Sequence, residues 1–486
     1  ILEAPVQQEI QEAPVQQDIQ ETREVQVQQE TREVQVQQEI LEVQDQPEIL
    51  EILDQLEHKG QQVRGDRKVR KELLDLQDPL AEYRGKFLIA DPEASYLDGN
   101  SLGRLPLATI DALNTLMRDE WGSEVVDGWS HWVDESEKTG DLIGRSTLGA
   151  AAGQVLACDT TSVNFYQLAR SAIKARPGRK TIVTDTSNFP TDRYILDGIA
   201  KQFDLNLVII DNEDPKIADN ELITIDVLKP YLSDDVALVT LEVIQYRSGA
   251  RNDIKSLTDL VRSYGAFLLW DASHAVGAIE MNFDANGVDI AVGCTYKYGN
   301  SGPGAPAWLY VNKRVQAELQ VPIQGWFSQG DQFGMGPVFE RAEGIRGFQI
   351  ASPSLIGLRC IKSAFSIIEE AGMTEISHKS ATGTQMMIEL YDAWLADLGF
   401  TLLTSRDANE RGGHISIGHP DAARICVALR QFANVVPDYR TPDSIRLAIS
   451  PLPTSYVEIW DGFQRIRDLV TTRQYEKIEK SDSRVT

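Results

Sequence analysis

Six short apolar runs, separated by segments of helical period, do most to limit what this chain can fold into. They span 181–184, 207–210, 237–241, 266–270, 289–293 and 306–311. Runs of this length and composition read as parallel strands, buried on both faces by the helices that connect them. Just upstream, 162–175 places Val163, Tyr166, Ala169, Ala172 and Ile173 on one helical stripe. The alternation predicts an α/β fold with a mostly parallel, doubly wound sheet. After about Ser352 the texture changes to long helical segments over 355–371 and 385–398, with strands at 413–417 and 444–449. That pattern predicts a smaller C-terminal α+β domain. The expected organisation is a large domain over 71–350, whose N-terminal segment is free to pack on the small domain. A small domain over 351–476 and a short tail over 477–486 follow.

The first 62 residues belong to neither domain. EAPVQQEIQ (3–11) is followed by EAPVQQDIQ (12–20), and ETREVQVQQ then occurs twice (21–29 and 30–38). A period of nine matches neither a helical turn nor a heptad seam. Residues 1–59 hold 15 acids against 3 bases, a net of −12 within a whole-chain charge of −26. With no glycine or aromatic residue before His58 and few apolar ones, the segment reads as disordered or as a loosely helical stalk. A docking or spacer role toward an unnamed partner is the alternative. The acidic balance argues against general nucleic-acid binding, which needs a basic surface. No run of about 18 apolar residues occurs, so no membrane span is expected. Cys158, Cys294, Cys360 and Cys426 are far apart and form no CxxC, which argues against a zinc ribbon or a disulfide scaffold and for a reducing, cytoplasmic setting. The chain opens on Ile1 rather than Met, which reads as a fragment or a processed form, and its start does not resemble a signal peptide.

Chemistry gathers between 268 and 311. One apolar strand ends in Asp271, with His274 three residues on, and a second is followed by Thr295-Tyr296-Lys297 and a Gly/Pro-rich stretch. Ligands of open α/β sheets lie beyond the carboxyl ends of the strands, where Asp271 and Lys297 fall. Lys297 alone reads as a surface lysine; desolvated, it reads as a Schiff-base lysine for pyridoxal phosphate. That cofactor needs an acid beside its ring nitrogen, which Asp271 can supply, and a phosphate cradle. Thr160-Thr161-Ser162 opens the 162–175 helix and serves either as a plain cap or as that cradle. His414 and His419 are five apart on an extended segment and so face opposite sides, which argues against a metal site. Trp121, Trp129 and Trp132 read as a packing cluster near the domain junction, with contact to a substrate ring as the alternative. Arg446 on its own reads as a surface strand residue.

The ordered blocks YLDGNSLGRLP (96–106), DTTSVN (159–164), SNFPTDRYI (187–195), WDASHAVGA (270–278), GCTYKYGNSGPGAPA (293–307), GW (325–326), RGGHISI (411–417) and IRLAISPLPTSY (445–456) make the chain, over roughly 75–472, resemble the kynureninase family of fold-type I pyridoxal phosphate enzymes. The resemblance implies a class V aminotransferase-like fold and hydrolytic cleavage of L-kynurenine or 3-hydroxykynurenine to L-alanine and an anthranilate, within tryptophan catabolism and NAD biosynthesis. It implies that Lys297 carries the cofactor, that Asp271 pairs with the ring nitrogen, and that Asp192 of the Phe189-Pro190-Thr191-Asp192 block lies nearby. Phe189 is expected on the ring face, Thr161 and Ser162 on the phosphate with Tyr296, and His274 on the cofactor side. Arg446, with Ser101, is expected to hold the substrate carboxylate. Trp326 and Ser352 fall where the family lends residues from a neighbouring subunit, which implies a homodimer with shared sites. Two alternatives stay open: another pyridoxal phosphate enzyme acting on a related β-acyl amino acid, and a weakened enzyme body that serves as a scaffold through the acidic tail. A cysteine desulfurase fits less well, because Cys360 sits in an apolar helical run. Three departures from the family stand out. Glu242 replaces the usual Ser or Thr against the cofactor, and reads as protonated, turned away, or a sign of altered chemistry. Gln329 stands where a histidine is usual, and Ser352 where Thr or Asn is usual.

Overall fold

The computed structural model describes residues 74–479. The acidic repeat segment expected over 1–62 and the end of the tail expected over 477–486 lie outside the described residues. In chain order the strands are β1 (Ser95–Tyr96), β2 (Val155–Ala157), β3 (Thr181–Asp185), β4 (Asn206–Ile210), β5 (Val236–Glu242), β6 (Phe267–Asp271), β7 (Ile290–Gly293) and β8 (Trp308–Val311). They continue with β9 (Thr401–Leu402), β10 (His414–Gly418), β11 (Val435–Val436), β12 (Asp438–Arg440) and β13 (Ser444–Ala448).

A seven-stranded sheet in the order β2-β8-β7-β6-β5-β3-β4 forms the centre. Successive side chains of its strands enter two different cores, as the period of two requires. Val239, Leu268, Trp270, Ala291 and Trp308 join one core with Leu257, Val261 and Phe365. Leu238, Leu269, Ile290, Val292 and Leu309 join the other with Phe165, Leu168 and Ala172. Apolar residues on both faces are what make these strands continuous apolar runs in the sequence.

Five details differ from the expectations. The 306–311 run, expected to be parallel, pairs antiparallel with β7 and with β2. Strand direction leaves no mark on composition; the chain returns beside β7 through the Gly/Pro-rich loop. The 207–210 run, expected to be buried, is the sheet edge, and Ile209 is 44% exposed. The helix expected at 162–175 runs Thr161–Lys174, and its buried stripe is shifted: Phe165, Leu168, Ala169 and Ala172 are buried, whereas Val163 and Tyr166 are only half-buried. The helix expected at 385–398 begins earlier, as Met373–Trp394. Trp129 and Trp132 meet edge to face at 5.7 Å, but Trp121 is not part of that ring pair and is 58% exposed.

The C-terminal elements carry a four-stranded antiparallel sheet, β12-β13-β10-β9, over a core that includes Leu97. β1 pairs in parallel with β11, and the Ala448 N–H donates to the Leu97 carbonyl at 2.9 Å. The segment carrying Ser101 is thereby held beside β13, which carries Arg446. At the carboxyl edge of the central sheet, Asp185, Glu242 and Asp271 terminate β3, β5 and β6, with Glu242 in register with Asp271.

Candidate active site

A cavity of about 250 Å³ opens at that carboxyl edge. Thr160, Thr161, Ser162, Phe189, Thr191, Asp192, Glu242, Asp271, Ser273, His274, Tyr296, Lys297 and the Gly304–Ala307 turn line it. Nine of the residues expected at the site therefore meet in one cavity. Pro190 does not line it; Pro190 starts the Pro190–Phe203 helix, where its fixed φ suits the first helical position. A larger cleft of about 680 Å³ beside Arg251 and Glu280 holds none of these groups, so the chemistry rather than the volume identifies the site.

Lys297 is buried, with Nζ 3.0 Å from His274 Nε2 and 5.8 Å from the centre of the Phe189 ring. Burial pushes the Lys297 amine down from the ordinary lysine range. Burial first, then Lys297 itself, holds the His274 imidazole well below its usual range, so the ring is neutral, and it lies within hydrogen-bond distance of the amine. The lysine loop lies tightly on the segment after β1: the Gly103 N–H donates to the Tyr296 carbonyl at 2.8 Å, and a Cβ at Gly103 would lie 2.3 Å from the Lys297 carbonyl oxygen. Only glycine permits that approach. Tyr296 keeps its phenolic proton, because Cys294, burial and Asp271 all push the group up.

Asp271 Oδ1 accepts the Ser273 N–H at 2.7 Å. Asp192 is raised well above the carboxylate range by burial and by Asp271, and its Oδ2 has no hydrogen-bond partner among the described residues. On the opposite wall, Thr160 caps the Thr161–Lys174 helix by accepting the Val163 N–H. The cap thus falls to Thr160, and the hydroxyls of Thr161 and Ser162 stand beside it at the cavity. These features fit pyridoxal phosphate: a buried amine, an aromatic ring wall, buried acids with an unsatisfied oxygen, and hydroxyls at a helix start, where phosphates bind well. Among the described residues no group of His, Cys, Asp and Glu is placed to hold a metal ion.

Glu242 is not turned away. It lines the cavity, and burial and Asp271 raise its carboxyl well above the usual range. Arg446 is not on the surface either: it is fully buried in β13. Its Nε donates to Asp438 at 2.6 Å, its Nη1 to the Tyr246 carbonyl at 2.5 Å and its Nη2 to Ser101 Oγ at 3.1 Å. Asp438, fully buried and in register with Arg446, also pairs with Arg440 at 2.9 Å. Arg446 and Ser101 therefore meet each other but do not line the cavity. Trp326 and Ser352 also lie outside its lining and are exposed; Trp326 donates its indole N–H to the Gln332 carbonyl at 2.7 Å. His419 packs on Phe400 at 4.7 Å, whereas His414 faces His274 at 6.0 Å.

Three neighbours of the site escaped the sequence reading. Tyr246 stands between Phe189 (5.4 Å) and His274 (6.5 Å). His414 is buried with both ring nitrogens unpartnered among the described residues. Asp438 supports Arg446. Only Asp438 left a signal, an acid eight residues before an arginine across a tight turn.

Comparison with known proteins bears on the same residues. A family model described as the kynureninase C-terminal domain matches residues 376–466. The kynureninase of Pseudomonas fluorescens is 33% identical over 417 residues, covering 84% of this chain and 96% of that protein. The kynureninase of Burkholderia pseudomallei is 34% identical over 420 residues, covering 85% and 98%. Among solved structures, the apo cysteine desulfurase of Thermococcus onnurineus NA1 superposes with a TM-score of 0.70 at 16% identity, covering 80% of this chain and 98% of that one. A C-DES variant with glycine covalently linked to its pyridoxal phosphate superposes with a TM-score of 0.67 at 16% identity, covering 78% and 97%. At such identities these structures speak to the fold alone.

Proposed function

The chain belongs to the kynureninase family, and from that premise we propose that it uses pyridoxal phosphate to cleave the Cβ–Cγ bond of L-kynurenine or 3-hydroxykynurenine with water, giving L-alanine and an anthranilate. The observation that carries this reading is the buried Lys297 beside His274, within the same cavity as Asp271 and the Thr161–Ser162 helix start.

Lys297 would hold the cofactor, Asp271 would pair with its ring nitrogen with Asp192 nearby, and Phe189 would cover the ring. Thr161, Ser162 and Tyr296 hold the phosphate. The bound cofactor supplies an electron sink beside the substrate Cα. Lys297 Nζ is the group that would take the Cα proton, and burial, by lowering its basicity, shifts it toward a base that works nearer neutral pH. Water adds to the γ-carbonyl carbon, which leaves as the carboxyl of the anthranilate. Tyr296 Oη, which keeps its proton, passes one to the departing Cβ. Arg446, held by Asp438 and flanked by Ser101 just outside the cavity lining, would supply the positive charge that the substrate α-carboxylate meets.

A homodimer completes the site with Trp326 and Ser352 from the neighbouring copy. The aromatic surface formed by Trp129, Phe327, Trp326 and Phe333 supports that assembly, because three of the four rings are exposed. The proposed setting is the cytoplasm, in tryptophan catabolism leading toward NAD biosynthesis. Four free cysteines suit it, and no helix among the described residues is long and apolar enough to cross a membrane. Turnover of L-kynurenine in ¹⁸O-labelled water tests the reaction. One labelled oxygen in the anthranilate carboxylate and none in alanine is expected; kynurenine recovered intact, or an unlabelled product, overturns it.

A further inference from the structure

Glu242 ends β5 at 1% exposure. Its Oε2 accepts the Tyr246 N–H at 2.8 Å, and its backbone carbonyl accepts Asn252 Nδ2 at 2.8 Å, so both the side chain and the strand end are fixed. Its Oε1 is the carboxyl oxygen that this contact leaves over, and the residue lines the cavity. The ionisable groups around it are Asp271 from β6, Asp185 from β3, Asp192 from the Pro190–Phe203 helix, Lys297 and His274 from the loops after β7 and β6, and the Tyr246 phenol. Four carboxyls thus face one lysine. His274 adds no charge, being neutral, and no arginine or lysine forms an ion pair with Glu242 among the described residues. An uncompensated charge with so little water costs several kcal/mol, so most such acids keep their protons.

We propose that Glu242 is a positioning residue for the bound cofactor, an uncharged carboxylic acid whose Oε2 is pinned by Tyr246 and whose Oε1–H is donated to the cofactor's ring hydroxyl oxygen. The inference rests on the cavity being the pyridoxal phosphate site. With the ring nitrogen at Asp271 and the phosphate at Thr161 and Ser162, that oxygen is the acceptor left on the ring itself. A carboxylate there would repel a phenolate; a carboxylic acid stabilises it. Glu242 therefore does the work of a hydroxyl donor rather than adding a negative charge.

The test uses the full chain loaded with pyridoxal phosphate and reads the pH midpoint of its visible absorbance band. Glu242→Gln, uncharged and still a donor, is expected to leave the midpoint within about 0.3 unit. Glu242→Leu, which removes the donor, is expected to raise it by about one unit. A Glu242→Gln midpoint lowered by about one unit would show an ionised glutamate and overturn the proposal, as would an unchanged midpoint in Glu242→Leu. Infrared difference spectra of the cofactor-free protein supply the second arm. Glu242→Gln should delete a protonated-carboxyl C=O band; deletion of carboxylate bands instead would overturn the proposal. If the unaltered chain forms no visible band, the cofactor reading itself has failed, and the infrared arm still decides the protonation of Glu242.

Discussion

Lys297 can act as a base only in its uncharged form, and burial shifts its amine toward that form by lowering it from the ordinary lysine range. The same burial burdens the acids behind it. Asp185 is fully buried, accepts Gln245 Nε2 at 3.2 Å, and is raised by burial to about 7. Below about pH 4 it is protonated in both the folded and the unfolded chain and has no effect on stability. Between about pH 4 and 7 the unfolded chain releases the proton first, so the folded state loses up to about 4 kcal/mol, a loss that persists at higher pH. Asp185→Asn should therefore raise the melting temperature at pH 8 and leave it unchanged at pH 4. Scanning calorimetry at the two pH values checks this, and an equal effect at both would sink the assignment. At this scale the site was legible where chemistry needs rare residue types together, as with Lys297, Asp271 and the Thr161–Ser162 pair. Burial was not legible: Arg446 reads as surface because nothing local shows that Asp438 and the Tyr246 carbonyl enclose it.

At the scale of elements, the carboxyl ends of β5, β6 and the β7 loop carry Glu242, Asp271 and Lys297 to one edge, and the alternating cores hold those ends rigid. Edge and centre should therefore differ in cost. Leu238→Ala in β5 is expected to destabilise by about 2–5 kcal/mol. Ile209→Thr in the half-exposed β4 should cost under about 1 kcal/mol. Urea unfolding of the two variants measures the contrast, and equal losses would contradict the edge position. Both strands look alike in sequence, since an apolar run does not record how many neighbours it gains. The shifted stripe of the Thr161–Lys174 helix has a similar cause. Asn164 and Gln167 are buried on it, and a reading built on apolar period passes over buried polar positions. The direction of β8 was hidden too, because parallel and antiparallel strands share one composition.

At the scale of the whole molecule, one chain supplies the cavity, while Trp326 and Ser352 lie exposed outside its lining. A shared-site dimer makes a specific forecast. Lys297→Ala should be inactive and Trp326→Ala weak alone, and a refolded mixture should regain up to about a quarter of native activity, since one site in each mixed dimer would be intact. No recovery on mixing would place Trp326 in the same site as its own Lys297, or in none. The division near residue 60 is read from charge and repeat, and the residues before it lie outside the described ones. Near residue 351 the sequence shows a change of texture, and it gives no sign that β1 and Leu97 join the C-terminal core from far upstream.

The most direct test is anthranilate fluorescence after mixing the pyridoxal phosphate-loaded protein with L-kynurenine, run beside Lys297→Ala. The account predicts sustained product formation from the unaltered chain and none above background from the variant. Product formation that survives Lys297→Ala, or its absence from an unaltered chain that holds the cofactor, would contradict it.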